Sequence, residues 1–248
     1  MSKRLALMLT ILSLATAIPR AAQAQAPAAA EPQTYTFVIQ RTIPRSQWAE
    51  WETFNEQKYR PVLEKLMADG LIVSWGMFTT LVHVDGYPTH GSWIEAADLA
   101  SIYKALAELD KLPSPTHRDY LLHSQLRHAR PASGTNGYLW VNNTHLQPGK
   151  GGQYRGLYER FVKPLLDELV GNGAMVLYAM QNETIHTEDP SQIFDVYFFA
   201  GPEGQDKLYA ALGDMEKKNT FFSDALDATE VGPPHRDYLA RVTRYAVK

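Results

Sequence analysis

YTFVIQRTIPRSQWAEWETFNEQKYRPVLEKLMADGLIVSWGMFTTLVH (residues 35–83) and YLWVNNTHLQPGKGGQYRGLYERFVKPLLDELVGNGAMVLYAMQNETIH (residues 138–186) align without a gap at an offset of 103. Ten positions are identical, among them Pro61/Pro164, Leu63/Leu166, Leu66/Leu169, Gly70/Gly173, Met77/Met180 and His83/His186, where residue frequencies alone predict about three. The pentapeptide HRDYL then recurs at 117–121 and 235–239. A repeat half a chain long means two copies of one unit, not a solenoid of short modules.

Within each copy the pattern predicts the same elements. Residues 34–43 are β-branched and aromatic and read as a strand; 46–69 then place Trp48, Trp51, Phe54, Val62, Leu63, Leu66 and Met67 at helical spacing. In the second copy Tyr138 to Leu146 is the strand and Tyr154, Leu157, Tyr158, Phe161, Leu165, Leu166 and Leu169 form the stripe. Both helices stop at a glycine, Gly70 or Gly173, as a C′ position prefers. A hairpin follows, with strands over 71–83 and near 90–96 in one copy and over 174–186 and 192–200 in the other, then a second helix, and a last strand after HRDYL. Pro61 and Pro164 fall inside the first helices and should kink them.

The order β-α-β-β-α-β, twice, is the ferredoxin-like split unit. One such sheet leaves a face bare, and that face is not polar here, so a second sheet must cover it. The expected architecture is therefore α+β: two tandem ferredoxin-like units, 34–128 and 138–248, joined by a linker over 129–137 and packed sheet to sheet as an intramolecular pseudo-dimer.

Lys3 and Arg4 precede an apolar run from Leu5 to Ile18, and Ala22-Gln23-Ala24 offers a small-x-small cleavage pattern, so residues 1–24 read as a signal peptide and 25–33 as a disordered lead-in. The protein is expected in the periplasm or outside the cell, with no membrane association after cleavage. Without residues 1–24 the chain carries 21 basic and 27 acidic residues, a balance that argues against nucleic acid. Cysteine is absent, so the fold must hold by core packing without disulfides.

At this point the sequence resembles the dimeric α+β barrel superfamily in a fused two-copy form. The stretch NNTHLQPGKGGQYRGLYERF (142–161) is similar to the opening of antibiotic-biosynthesis-type and haem-degrading monooxygenases. That resemblance implies an Asn hydrogen-bonding a substrate or bound oxygen, here Asn142 or Asn143. It also implies that a haem ligand would come from the second helix of a unit, where 202–220 carries no histidine.

His117 and His235 open the duplicated HRDYL segments and are candidate acid/base groups, since imidazole titrates near neutral pH; the alternative is that the motif clamps the halves, with Tyr120 and Tyr238 packed in the barrel. His145 shares a parity with Asn143 on the first strand of the second unit, and Asn142 shares the other with Thr144. Asn142 and Asn143 stand where the first copy has Ile39 and Gln40, a hint of a pocket confined to the second half, between helix and sheet. No HxH or HExxH spacing occurs, so no metal site is expected, and no cofactor is expected, haem being weakly supported. The functional expectation is an exported protein that binds a small apolar or aromatic ligand. Alternatives are a cofactor-free monooxygenase-like enzyme on an apolar aromatic substrate and a haem-binding protein; oligomers beyond the pseudo-dimer stay open.

Overall fold

The computed structural model describes residues 33–84, 86–186 and 191–248, with backbone only for Pro233, Pro234 and His235. The expected signal peptide, 1–24, lies outside the described residues. The first copy contributes β1 (Tyr35–Arg41), α1 (Trp48–Phe54), α2 (Arg60–Ala68), β2 (Ser74–Thr80), β3 (His90–Ala96), α3 (Leu99–Leu109) and β4 (His117–Ala129). A short β5 (Ala132–Gly134) sits inside the expected linker. The second copy gives β6 (Gly137–Leu146), α4 (Gly151–Leu157), α5 (Lys163–Gly171), β7 (Leu177–Glu183), β8 (Gln192–Phe199), α6 (Pro202–Lys218), α7 (Phe222–Asp227) and β9 (Glu230–Val247).

Strands run β2-β3-β1-β4 in the first copy and β7-β8-β6-β9 in the second, all antiparallel. The two sheets are not merely stacked, as the bare-face argument anticipated. Their edges are hydrogen-bonded: β4 pairs β7 from Leu122↔Glu183 to Ala129↔Leu177, and β2 pairs β9 from Ser74↔Val247 to Thr80↔Ala240. The fold is thus a mixed α+β structure around a closed antiparallel barrel. Each seam carries a register shift, between Ser124 and Leu126 and between Met77 and Phe78, the local bend that closure of a twisted sheet requires.

Alternation along the strands divides the apolar residues into layers. Outside the barrel, α1–α3 cover one cluster, with Leu63, Leu66, Ile94 and Ile102 fully buried, and α4–α7 cover another around Leu166, Met175, Tyr178 and Leu208. Inside it lies a third layer of Phe78, Leu139, Val176, Phe198, Ala240 and Val242. Among the described residues no helix is long and apolar enough to cross a membrane.

The two prolines produce the same device twice. Between α1 and α2 the helix widens to a π-turn over Asn55–Tyr59, and between α4 and α5 over Tyr158–Val162. Arg60 N–H bonds to Asn55 O and Lys163 N–H to Tyr158 O, five residues back. Proline has no N–H to offer the carbonyl four residues earlier; the wider turn shifts the ladder by one residue, so the helix passes the proline without breaking. Each helix ends as the glycines require, with Gly70 at φ +77° and Gly173 at φ +83°.

Closure brings strands close enough that β3 needs a glycine. A Cβ at Gly91 would lie 2.3 Å from Phe78 Cζ and 2.7 Å from the Ile39 carbonyl oxygen. Gly91→Ala is expected to destabilise the protein by about 1–3 kcal/mol through overpacking, read as a lower urea midpoint at unchanged m-value. An unchanged midpoint would show that the barrel wall yields there.

Candidate functional site

The barrel is hollow. A cavity of about 460 Å³ occupies its lumen, within the range of sites that bury a drug-sized molecule. Its walls come from the inward parity of the strands: Val38 on β1, Phe78 on β2, Trp93 on β3, Leu139 and Val141 on β6, Ala179 on β7, and Phe194, Val196 and Phe198 on β8. The aromatic rings meet edge to face, Trp93 with Phe198 at 5.7 Å and Phe78 with Tyr238 at 5.8 Å between centroids.

One end is sealed by polar side chains. Gln181 Nε2 donates to Thr36 Oγ1 at 2.7 Å and to Ser124 Oγ at 3.2 Å. Arg127 grips Glu95 with Nε to Oε1 at 2.5 Å and NH2 to Oε2 at 2.8 Å, and Thr34 donates to the same Oε1 at 2.6 Å. This floor ties β1, β3, β4 and β7 together across one seam.

The opposite end is the mouth. The C-terminal ends of β1 and β6 and the beginnings of β4 and β9 meet there, because Gln40 pairs with Arg118 and Asn143 with Arg236. β4 and β9 lie half a turn apart around the barrel, so the duplicated HRDYL segments stand opposite each other. Arg118, Tyr120, Arg236 and Tyr238 all line the cavity. Arg118 lies 5.2 Å over the Tyr120 ring, and Arg236 donates to the Tyr87 hydroxyl at 2.5 Å. Burial raises the phenol pKa of Tyr120 and, more strongly, of Tyr238, which hydrogen-bonds Thr80 Oγ1 at 2.8 Å; both are neutral at physiological pH.

The residues singled out in the sequence separate here. Asn143 and His145 project into the lumen at the mouth, with Gln192 beside them. Asn143 Nδ2 donates to Gln192 Oε1 at 3.2 Å, while its Oδ1 is buried with no partner. Asn142 faces the other way, under the helices, accepting from Thr144 Oγ1 at 3.2 Å. His117 is exposed on the outer side of β4, where Nδ1 contacts the Pro115 carbonyl at 2.8 Å and Nε2 lies 3.4 Å from Asp119; it does not line the cavity. The side chain of His235 is outside the described residues. The expected pocket between helix and sheet is corrected: the cavity is inside the barrel, because that helix-to-sheet space is filled.

What fills it differs in sign between the halves. In the first, Arg41 is 3% exposed and donates to Ser92 Oγ at 3.1 Å and Tyr59 OH at 3.3 Å, its guanidinium 5.2 Å from the Trp51 ring centroid. In the second, the position equivalent to Ser92 is Asp195, 1% exposed. Tyr154 donates to its Oδ2 at 2.5 Å, and its Oδ1 has no hydrogen-bond partner. Burial pushes the Asp195 carboxyl up to about 7, against the hydrogen bond from Tyr154 that favours the anion. His90, packed edge-on against Trp48 at 5.2 Å, moves in the other sense: burial lowers it to about 4, helped by the charge of His83 and Arg41.

Sequence reasoning missed Asp195 as an acid buried under the helices, and Arg118 and Arg236 as groups lining the lumen. An acid inside the apolar strand QIFDVYFF, and the shared parity of Arg and Tyr in HRDYL, were the available signals. Among the described residues no group of three or more His, Cys, Asp or Glu is placed to hold a metal ion. α6 carries no histidine, so it offers no axial ligand at the place where the resemblance would put one.

Asp195 gives a signed pH dependence. Its folded pKa is raised above the unfolded carboxylate range, so its contribution to stability is full below about pH 4 and is lost as pH rises through about 7. Asp195→Asn should therefore gain stability relative to wild type across that window and hold the gain above it, measured by urea denaturation at several pH values. A difference that is constant from acid to neutral pH would refute the assignment.

No protein-family model and no curated protein matches the sequence. Solved structures do. A monooxygenase-like protein from Fusobacterium nucleatum superposes with a TM-score of 0.63 at 8% identity, covering 87% of this chain and 94% of that one. A second monooxygenase-like protein, from Lactobacillus acidophilus, gives 0.60 at 9% identity, with 88% and 97% covered. An anthrone oxidase-like protein gives 0.50 at 9% identity, with 87% and 93% covered. These neighbours are dimeric α+β barrel proteins, and what the chain has in common with them is that fold, with every strand of the barrel drawn here from one polypeptide.

Proposed function

We propose that this protein binds a small apolar, aromatic molecule inside the barrel, seated against Phe78, Trp93, Phe194 and Phe198, with its polar group at Asn143, His145 and Gln192. The carrying observation is the hollow lumen itself: apolar walls, a polar floor and a few convergent polar groups at one mouth. The unpartnered Asn143 Oδ1 favours a ligand that donates a hydrogen bond, such as a phenol, because burying that acceptor unmet costs about 1–3 kcal/mol. Two further readings accompany this one. The halves are two ferredoxin-like units that act as a dimer fused in one chain, and the protein is exported after loss of residues 1–24, as the charged start and apolar run suggest.

A second reading is cofactor-free oxygenation of such a phenol, with His145 as the base that removes the hydroxyl proton and Asn143 holding the oxygen. The juxtaposition of the two side chains in the lumen favours it. Oxygen uptake with anthrone as substrate, abolished in His145→Ala, would support catalysis over binding alone.

Binding is tested with the neutral probe N-phenyl-1-naphthylamine, whose emission rises in apolar surroundings and which accepts energy from Trp93. Wild type should bind it saturably. Ala179→Phe places a ring in the lumen and should weaken binding by roughly tenfold or more, about 1.4 kcal/mol, with a cooperative melt retained. Equal affinity in the filled variant would move the site out of the barrel.

A further inference from the structure

Phenol and indole rings in the second half form a continuous row from the core to the surface. Tyr154 bonds Asp195 at 2.5 Å and stacks on Tyr158 at 6.4 Å between centroids. Tyr158 donates to the Tyr197 hydroxyl at 3.2 Å. The Tyr197 ring lies 4.9 Å from Trp140, and Trp140 lies 5.3 Å from Tyr209, which is 51% exposed. A carboxylate stands at each end, Asp195 in the core and Asp237 at the surface, where it accepts from Trp140 Nε1 at 2.9 Å.

Packing does not require this row. At the offset of 103 the first copy has Phe37 for Trp140, Asn55 for Tyr158, Ser92 for Asp195 and Ile94 for Tyr197, in the same fold with an equally buried core. The first copy keeps an oxidisable ring at Trp51, in place of Tyr154, where it stacks on Phe54; among the described residues it is the second copy that has tyrosine and tryptophan rings in mutual contact with a base at the buried end.

We propose that Tyr209, Trp140, Tyr197, Tyr158 and Tyr154 are a relay that carries one-electron oxidising equivalents from the protein surface to Tyr154. A diffusing one-electron oxidant is reduced at the surface end, taking an electron from Trp140, whose Nε1 proton shifts to Asp237. An electron then passes outward along the row from Tyr154 and the indole recovers its proton. At Tyr154 the O–H bond breaks, the proton passes to the Asp195 carboxylate, and a neutral tyrosyl radical remains. In sum one electron leaves Tyr154 and one proton moves to Asp195. Discharging a buried anion makes this end the sink, since an unpaired carboxylate in the core is costly. The groups facing Asp195 are Tyr154, Tyr158 and Tyr197, with Glu230 the nearby acid and Asn142 its strand partner. Asp195 must be ionised to accept the proton, which it is above pH about 7.

The test is laser flash photolysis of the full chain with a ruthenium polypyridyl photo-oxidant, following tryptophan and tyrosyl radicals by transient absorption. Expected is a tyrosyl signal that grows as the tryptophan signal decays, at a rate independent of protein concentration, and that fades as pH falls below about 7 with Asp195 protonation. Trp140→Phe and Tyr154→Phe should each abolish that growth, whereas Trp48→Phe, on the first copy beside His83, should leave it intact. A tryptophan radical that decays only bimolecularly in wild type, or intramolecular growth that survives Trp140→Phe, overturns the relay. Both phenylalanine variants keep an aromatic ring, and a cooperative melt for each separates loss of transfer from loss of fold.

Discussion

Everything in this molecule depends on the two seams where one copy's sheet edge meets the other's. A four-stranded sheet alone would leave β2 and β4 with rows of unpaired backbone N–H and C=O groups and an apolar face in water. Pairing β4 with β7 and β2 with β9 removes both liabilities at once. It also fixes the curvature, since closed sheets need strand tilt and stagger, and the bulge at each seam supplies part of the bend. A lumen follows from that curvature, and with it an extended apolar surface that side chains leave unfilled.

Much of this was readable from residues. The offset of 103 carried β1, α1, α2, β2, β3 and the start of α3 onto β6, α4, α5, β7, β8 and the start of α6, because hydrophobic period and punctuating glycines are local properties, while α7 and the displaced last strand lay beyond it. Parity on the strand at 137–146 correctly put Asn143 and His145 on one face and Asn142 with Thr144 on the other. What parity could not reveal was which face looks into space. That depends on residues far apart in sequence: Tyr154, Tyr158 and Tyr197 fill the helix side of β6 and β8, while Ala179 and Val141 leave the inside open. Edge pairing was equally hidden, since any strand has unpaired edges until a distant partner arrives.

The duplication has been used unequally. The backbone of the two copies is matched down to the π-turns, yet the polar residues diverge where they are buried. Arg41, Tyr59 and Ser92 in one copy correspond to Thr144, Val162 and Asp195 in the other, so a cation held by aromatic faces faces off against an acid held by phenols. A homodimer of identical units cannot do this, because any substitution appears twice. Joining the copies lets each helix-to-sheet layer acquire its own charge and the lumen its own polar side.

Each π-turn is equivalent to one residue inserted into a helix, and both stand at the same register, Asn55–Tyr59 and Tyr158–Val162, immediately before a shared proline. The widened turn is thus common to both copies of the repeat, each keeping it where the shared proline would otherwise leave a helix carbonyl unmet.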